Sequence, residues 1–233
     1  MIPDVLQAVK HGLIVSCQAK KGEPFNAPER LALFAESAVI GGAVGIRAEG
    51  ERNVRYISHI VDVPIVGLIK TIYPDGLVCI TRTFNDVEKL ILAGSHLLAI
   101  DGTFRTYNGY TGPEFIRHVR NRYAIPVMAD IATVEEGLAC AEAGAACLAT
   151  TLSGYTPDTF RKSKKTPDFK LIKELASQSD IPVIAEGRIH SPEDAAKALH
   201  LGAWAVVVGT AITRPIDITS WYVEKMKEAV KKP

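Results

Sequence analysis

Ile125-Pro-Val-Met-Ala-Asp130 leads into Thr133-Val-Glu-Glu-Gly137 and then Ala143-Gly144-Ala145. Further on, Ile181-Pro-Val-Ile-Ala-Glu186 leads into Ser191-Pro-Glu-Asp-Ala195 and then Leu201-Gly202-Ala203. Each unit is an aliphatic run that closes on a carboxylate. A hydroxyl residue follows with acidic residues close behind, the pattern of a helix N-cap. Each ends with a glycine suited to the left-handed turn after a helix C-terminus. Strand, helix and return to strand are thus written twice. A fainter third copy runs from Val63-Pro-Ile-Val66 through Val87-Glu-Lys89 to Ala93-Gly-Ser95, which makes the chain an assembly of equivalent βαβ pieces.

Working outward, the same short apolar runs recur along the chain at Leu13 to Gln18, Ala43 to Arg47, Pro64 to Lys70, His96 to Asp101, Ile125 to Asp130, Ala145 to Thr150, Ile181 to Glu186 and Trp204 to Gly209. Segments of helical periodicity separate them. Eight buried parallel strands in 233 residues predict an α/β fold, a closed (β/α)8 TIM barrel rather than a doubly wound sheet, with Val5 to His11 as an extra N-terminal helix plugging one end. No composition shift or linker divides the chain, so residues 1–233 read as one domain.

Composition narrows the function. Lys and Arg number 27 against 26 Asp and Glu, a net charge of +1 that gives no field to hold a nucleic acid. No apolar stretch approaches the roughly 20 residues of a membrane span, and the N-terminus has no signal-peptide pattern, so a cytoplasmic protein is expected. Cys17, Cys79, Cys140 and Cys147 fall in no metal or disulfide spacing. The histidines show no ligand spacing either, and only His190 falls near the expected site. No metal is expected.

In such barrels chemistry sits at the C-terminal ends of the strands. Six runs close on a polar residue: Gln18, Arg47, Lys70, Asp101, Asp130 and Glu186. Any one alone is a cap or a loop ion pair; together on one rim they form a site. Lys70, on the same strand face as Val66 and Leu68, projects toward the mouth. There it is either a structural partner of Asp101 or a functional amine, a general base or Schiff-base nucleophile with a pKa depressed by desolvation and Arg47. Glu186 lies four strands away across the mouth, unless it merely pairs with Arg188. The loops Gly187-Arg188-Ile189-His190-Ser191 and Gly209-Thr210-Ala211-Ile212-Thr213-Arg214-Pro215 follow the last two strands, where many barrels bind phosphate on backbone amides, with Arg214 as a bidentate contact. The basic run Arg161 to Lys165 is an ordinary solvated loop or a lid over a phosphorylated ligand.

Taken together, Gly12-Leu-Ile-Val-Ser-Cys-Gln-Ala19, Gly45-Ile-Arg-Ala-Glu-Gly50, Pro64-Ile-Val-Gly-Leu-Ile-Lys70, Met128-Ala-Asp-Ile-Ala-Thr133, Thr151-Leu-Ser-Gly-Tyr-Thr156 and Ala185-Glu-Gly-Arg-Ile189 resemble the N-acetylmannosamine-6-phosphate 2-epimerase family of bacterial sialic acid catabolism. The resemblance implies Lys70 and Glu186 as the acid/base pair. It implies Gln18, Arg47 and Asp130 on the sugar, Thr151 as a further substrate contact, and Gly187, Arg188, Gly209, Thr210 and Arg214 on the phosphate. It also implies a phosphosugar substrate and a homodimer. Epimerisation beside a masked aldehyde needs proton transfer alone, so no cofactor is expected. One base or two is left open. The rival readings are a Schiff-base lyase or aldolase working through Lys70, and a phosphosugar-binding barrel without catalysis.

Overall fold

The computed structural model describes residues 2–73, 76–160 and 165–231. The apolar runs form Leu13–Cys17 (β1), Gly45–Glu49 (β2), Ile65–Leu68 (β3), Leu97–Asp101 (β6), Val127–Asp130 (β7), Cys147–Ala149 (β8), Val183–Glu186 (β9) and Ala205–Val208 (β10). These strands close a parallel barrel in the order β1-β2-β3-β6-β7-β8-β9-β10, with β10 returning to β1 through pairs such as Leu13↔Val206. Lys70–Ile72 (β4) and Val78–Ile80 (β5) form a separate antiparallel hairpin.

Helices alternate with the barrel strands: Pro28–Ile40 (α2), Glu51–Ser58 (α3), Phe84–Leu92 (α4), Gly112–Arg122 (α5), Val134–Glu142 (α6), Phe169–Gln178 (α7) and Pro192–His200 (α8). Their starts follow the sequence signals. Thr133 accepts from the Glu136 amide at 3.2 Å while the Glu136 carboxylate accepts from the Thr133 amide at 3.1 Å, a reciprocal capping box. Ser191 caps α8 through the Asp194 amide at 3.1 Å. Gly144 and Gly202 turn the chain out of α6 and α8 at φ of 94° and 99°, a conformation in which a side chain would be strained.

The expected N-terminal helix is shorter than Val5 to His11: Asp4–Ala8 (α1). Its Leu6 is fully buried in the barrel interior among Ile14, Val66, Leu97 and Val207, and the Trp204 indole donates to the Leu6 carbonyl at 2.7 Å. A second apolar layer, including Leu31, Ile57, Leu90, Phe115 and Leu175, lies between sheet and helices. Two layers of apolar packing therefore fill the barrel and its flanks below the C-terminal mouth, where the polar strand-end groups gather. The chain ends in a short helix, Thr210–Thr213 (α9), and a longer one, Pro215–Lys231 (α10). Among the described residues no helix is long and apolar enough to cross a membrane.

Two strand ends differ from expectation. β2 runs on past Arg47 to Glu49, so Arg47 is an inward-facing strand residue rather than a terminal one. The third barrel strand stops at Leu68, and Lys70 opens the hairpin instead. Of the basic run Arg161 to Lys165, residues 161–164 lie outside the described residues.

Candidate active site

A cavity of about 280 Å³ opens at the C-terminal mouth. Gln18, Arg47, Lys70, Thr151, Glu186, Gly187, Arg188, Gly209, Thr210 and Arg214 all line it. Of the substrate-contacting residues expected from sequence, Asp130 alone does not line it. The carboxylate is fully buried beneath Arg47, which donates to Oδ1 at 3.1 Å and to Oδ2 at 2.7 Å. Thr151, just beyond β8, donates to the same Oδ1 at 2.7 Å. Asp130 is thus the anchor that aims Arg47 and Thr151 into the mouth. Asp101 is elsewhere again: buried and paired with Arg105 at 2.9 Å, it makes no pair with Lys70.

Arg47 is also 3.1 Å from Glu186 Oε2. Burial opposes the Arg47 cation, but Asp130 and Glu186 outweigh it, and Arg47 holds its proton more tightly than a free arginine. Glu186 pairs with Arg47 and not with Arg188. Burial pushes its carboxyl up to about 7, against the pull of Arg47 and with the push of Asp130.

The Lys70 ammonium donates to the Gln18 side-chain carbonyl, whose amide donates in turn to Ser16 Oγ at 2.6 Å. Lys70 is open to the water of the mouth, yet protein atoms crowd its amine. Desolvation and then the Arg47 cation hold it below the usual lysine value, with Glu49, Glu186 and Asp130 opposing. A lysine with a lowered pKa therefore faces a carboxyl with a raised one across a single cavity. Such a pair can exchange protons with a bound molecule near neutral pH.

The two arginines of the glycine loops are committed within the protein. Arg188, at φ 57°, donates from Nη1 to the Ser153 carbonyl at 2.7 Å and from Nε to the Thr166 carbonyl at 2.9 Å. Through these bonds it ties down the segment after β8. Arg214 is paired with Glu23 and, at 2.7 Å, with Asp217.

Ser16, Val78, Ile80 and Leu152, for which the sequence alone gives no site role, also line the cavity, as does Tyr155 at the start of the loop after β8. Val78 and Ile80 come from the hairpin. Pro74-Asp75-Gly76 between Thr71-Ile-Tyr73 and Leu77-Val-Cys79 is the hairpin signal that could have found them. His190 lines the rim, with its ring 4.6 Å from that of Trp221 on α10. Among the described residues no group of three or more His, Cys, Asp or Glu is placed to hold a metal ion.

Fold and cavity together define a (β/α)8 barrel that gathers ionisable groups at its C-terminal mouth. Comparison with known proteins makes it particular. Residues 31–228 match the family NanE, described as "Putative N-acetylmannosamine-6-phosphate epimerase". A relative from Caldanaerobacter subterraneus subsp. tengcongensis described as "Putative N-acetylmannosamine-6-phosphate 2-epimerase" is 47% identical over 228 residues, covering 97% of this chain and 95% of its own. The solved N-acetylmannosamine-6-phosphate 2-epimerase from Clostridium perfringens superposes with a TM-score of 0.87 at 40% identity, over 94% of this chain and 95% of that one. The chain belongs to the NanE family. Thiamine phosphate pyrophosphorylase from Pyrococcus furiosus, at 15% identity and a TM-score of 0.62 over 97% of this chain and 99% of that one, shares the fold alone.

Proposed function

We propose that this chain interconverts N-acetylmannosamine 6-phosphate and N-acetylglucosamine 6-phosphate by removing and returning the proton on C2. The observation that carries the reading is the Lys70–Glu186 pair, two ionisable groups with opposed pKa displacements facing one cavity in a NanE-family chain. Inverting C2 requires the ring to open, so that the C1 carbonyl acidifies the C2–H bond. Neutral Lys70 takes the C2 proton. Glu186, protonated near neutrality, gives its proton to the C1 or ring oxygen, and Arg47 beside it stabilises negative charge developing there. In a one-base route the open chain turns its other face to Lys70, which returns the C2 proton while Glu186 takes back the oxygen proton; in a two-base route Glu186 keeps its proton for the opposite face of C2, Arg47 alone stabilises the C1 oxygen, and Lys70 passes the abstracted proton to Glu186 through the water of the mouth.

Gln18 orients the amine, and Thr151 meets the sugar hydroxyls. Asp130 acts through Arg47 and Thr151. The phosphate sits against Gly187, Gly209 and Thr210, with Arg214 behind and Arg188 shaping the wall. Four buried free thiols suit a cytoplasmic setting. A homodimer is supported by α10, whose Tyr222, Met226 and Val230 are 69%, 67% and 87% exposed, and analytical ultracentrifugation tests it.

The test of the activity is NMR of N-acetylmannosamine 6-phosphate incubated with the protein. The reading expects the 2-epimer to accumulate to a fixed ratio that is reached from either sugar. A persistent single sugar overturns it.

A further inference from the structure

The β4–β5 hairpin is a sheet of its own, and its strands pair with each other rather than with the barrel. Lys70 therefore opens a strand outside the barrel ladder; its amide donates to Glu49 Oε1 of β2 at 3.4 Å and its ammonium to Gln18, and contacts further along the hairpin complete its placement. At the base, the Thr81 amide donates to the Ile69 carbonyl at 2.8 Å and the Ile69 amide to Thr81 Oγ1 at 3.0 Å. Thr81 is fully buried with φ of 47°, a strained state for a β-branched residue, so the surroundings impose the hairpin's path.

Further out, one guanidinium spans hairpin and barrel. Arg105 Nη2 donates to the Val78 carbonyl of β5 at 3.2 Å and to Asp101 Oδ2, the last residue of β6, at 2.9 Å. Its Nε donates to Thr103 Oγ1 at 3.1 Å, and its guanidinium lies 4.1 Å from the centre of the Tyr73 ring. Tyr73 continues β4, and its hydroxyl accepts from Arg82 at 3.1 Å and reaches Asp101 Oδ2 at 3.4 Å. Val78 is two residues from Ile80, the cross-strand partner of Lys70. None of Arg105, Asp101 or Tyr73 lines the cavity.

We propose that Arg105 is a positioning residue: it ties the hairpin, and with it the Lys70 amine, to the end of barrel strand β6. The proposal rests on Lys70 as the C2 base. A purely stabilising role would be served as well by apolar packing, since a buried charged cluster is costly to assemble. A planar guanidinium that holds Thr103 through Nε and both the Val78 carbonyl and the Asp101 carboxylate through Nη2 is what fixed geometry needs. Misplacing a reacting group by about 1 Å costs on the order of 100-fold in rate. The groups that set the amine's environment are Arg47 and Glu49 of β2, Asp130 of β7, Glu186 of β9 and Gln18 after β1. A swung hairpin changes its distance from all of them.

The test is Arg105→Lys, which keeps the charge but has one nitrogen in place of the two that hold Val78, Asp101 and Thr103, and no plane to lay on Tyr73, read by kcat, KM, the pH profile and thermal melting. The proposal expects kcat to fall about tenfold or more, KM to stay within about twofold, and the limb belonging to Lys70 to move toward higher pH as the amine leaves its crowded site. A variant with wild-type kcat and pH profile overturns the proposal, whatever its melting temperature. Tyr73→Phe, read in the same way, decides the matter if Arg105→Lys does not fold: a fall of a few-fold in kcat with the same displaced limb supports the proposal, and unchanged values overturn it. Absence of epimerisation by the wild-type protein would instead sink the parent reading, and that is seen before any variant is made.

Discussion

Glu186 Oε2 lies 3.1 Å from Arg47 Nη1 but receives no aligned hydrogen bond there. Asp130 takes both terminal nitrogens of the same guanidinium, at 3.1 and 2.7 Å. Arg47 is therefore committed to Asp130, and burial outweighs its remaining pull on Glu186. The result is a carboxyl pushed up to about 7, beside a cavity and opposite an amine held below the usual lysine value. Geometry built for one buried ion pair sets the proton affinity of a third group.

The pH profile follows from that pair. With both groups protonated no base exists, and with both deprotonated no acid exists, so kcat/KM should be bell-shaped with one limb near pH 7. Glu186→Gln should remove that limb along with most of the activity. Stability carries the same signature with the opposite benefit. A carboxyl whose folded-state value is raised favours the folded chain below its ordinary value of 4.5, and this contribution is lost as pH rises to about 7. Urea unfolding at several pH values should show Glu186→Gln losing that downward slope between these limits. An unaltered slope would show that the carboxyl titrates elsewhere.

Arg47→Met should be strongly destabilising. It leaves Asp130 and Glu186 buried without their cation, a loss of about 3–5 kcal/mol for breaking a buried pair. At about 2–4 °C per kcal/mol for a chain of this length, melting should fall by about 6–20 °C. Calorimetry measures it, and an unchanged Tm would contradict the hub role of Arg47.

Phosphate recognition can be probed through a neighbour. Arg214 lines the cavity while shared between Glu23 and Asp217. If it faces the phosphate, Glu23→Gln should free part of its charge and lower KM for the phosphorylated sugar several-fold, with little effect on the far weaker turnover of unphosphorylated N-acetylmannosamine. Equal shifts for both sugars would place Arg214 outside the phosphate site.

The barrel was legible in the sequence because each strand is a short apolar run with its own punctuation: Pro126 and Pro182 near the entry, Asp130 and Glu186 at the exit, and Thr133 and Ser191 starting the next helix. Local signals of this kind survive folding. The hairpin was not read because Ile69-Lys70 continues the apolar run of β3 without a break, so Lys70 looked like a strand end when it begins a new strand. The commitments of Arg188 and Arg214 were equally hidden. Their partners Ser153, Thr166 and Glu23 are distant in sequence, and no periodicity announces a contact between loops. Asp130 reads from sequence as facing the mouth and lies beneath it, because a pattern of strand ends does not tell a group at the mouth from one a layer below it.

The central claim is that the Lys70 amine takes the C2 proton, and solvent deuterium tests it most directly. N-acetylmannosamine 6-phosphate in deuterated water should lose its C2 proton signal in the presence of the wild-type protein as the epimer forms. Lys70→Ala, a change at an open position that leaves the barrel core intact, should slow that loss by at least about 100-fold while the protein still melts cooperatively. Exchange at C2 in Lys70→Ala at the wild-type rate would contradict the account.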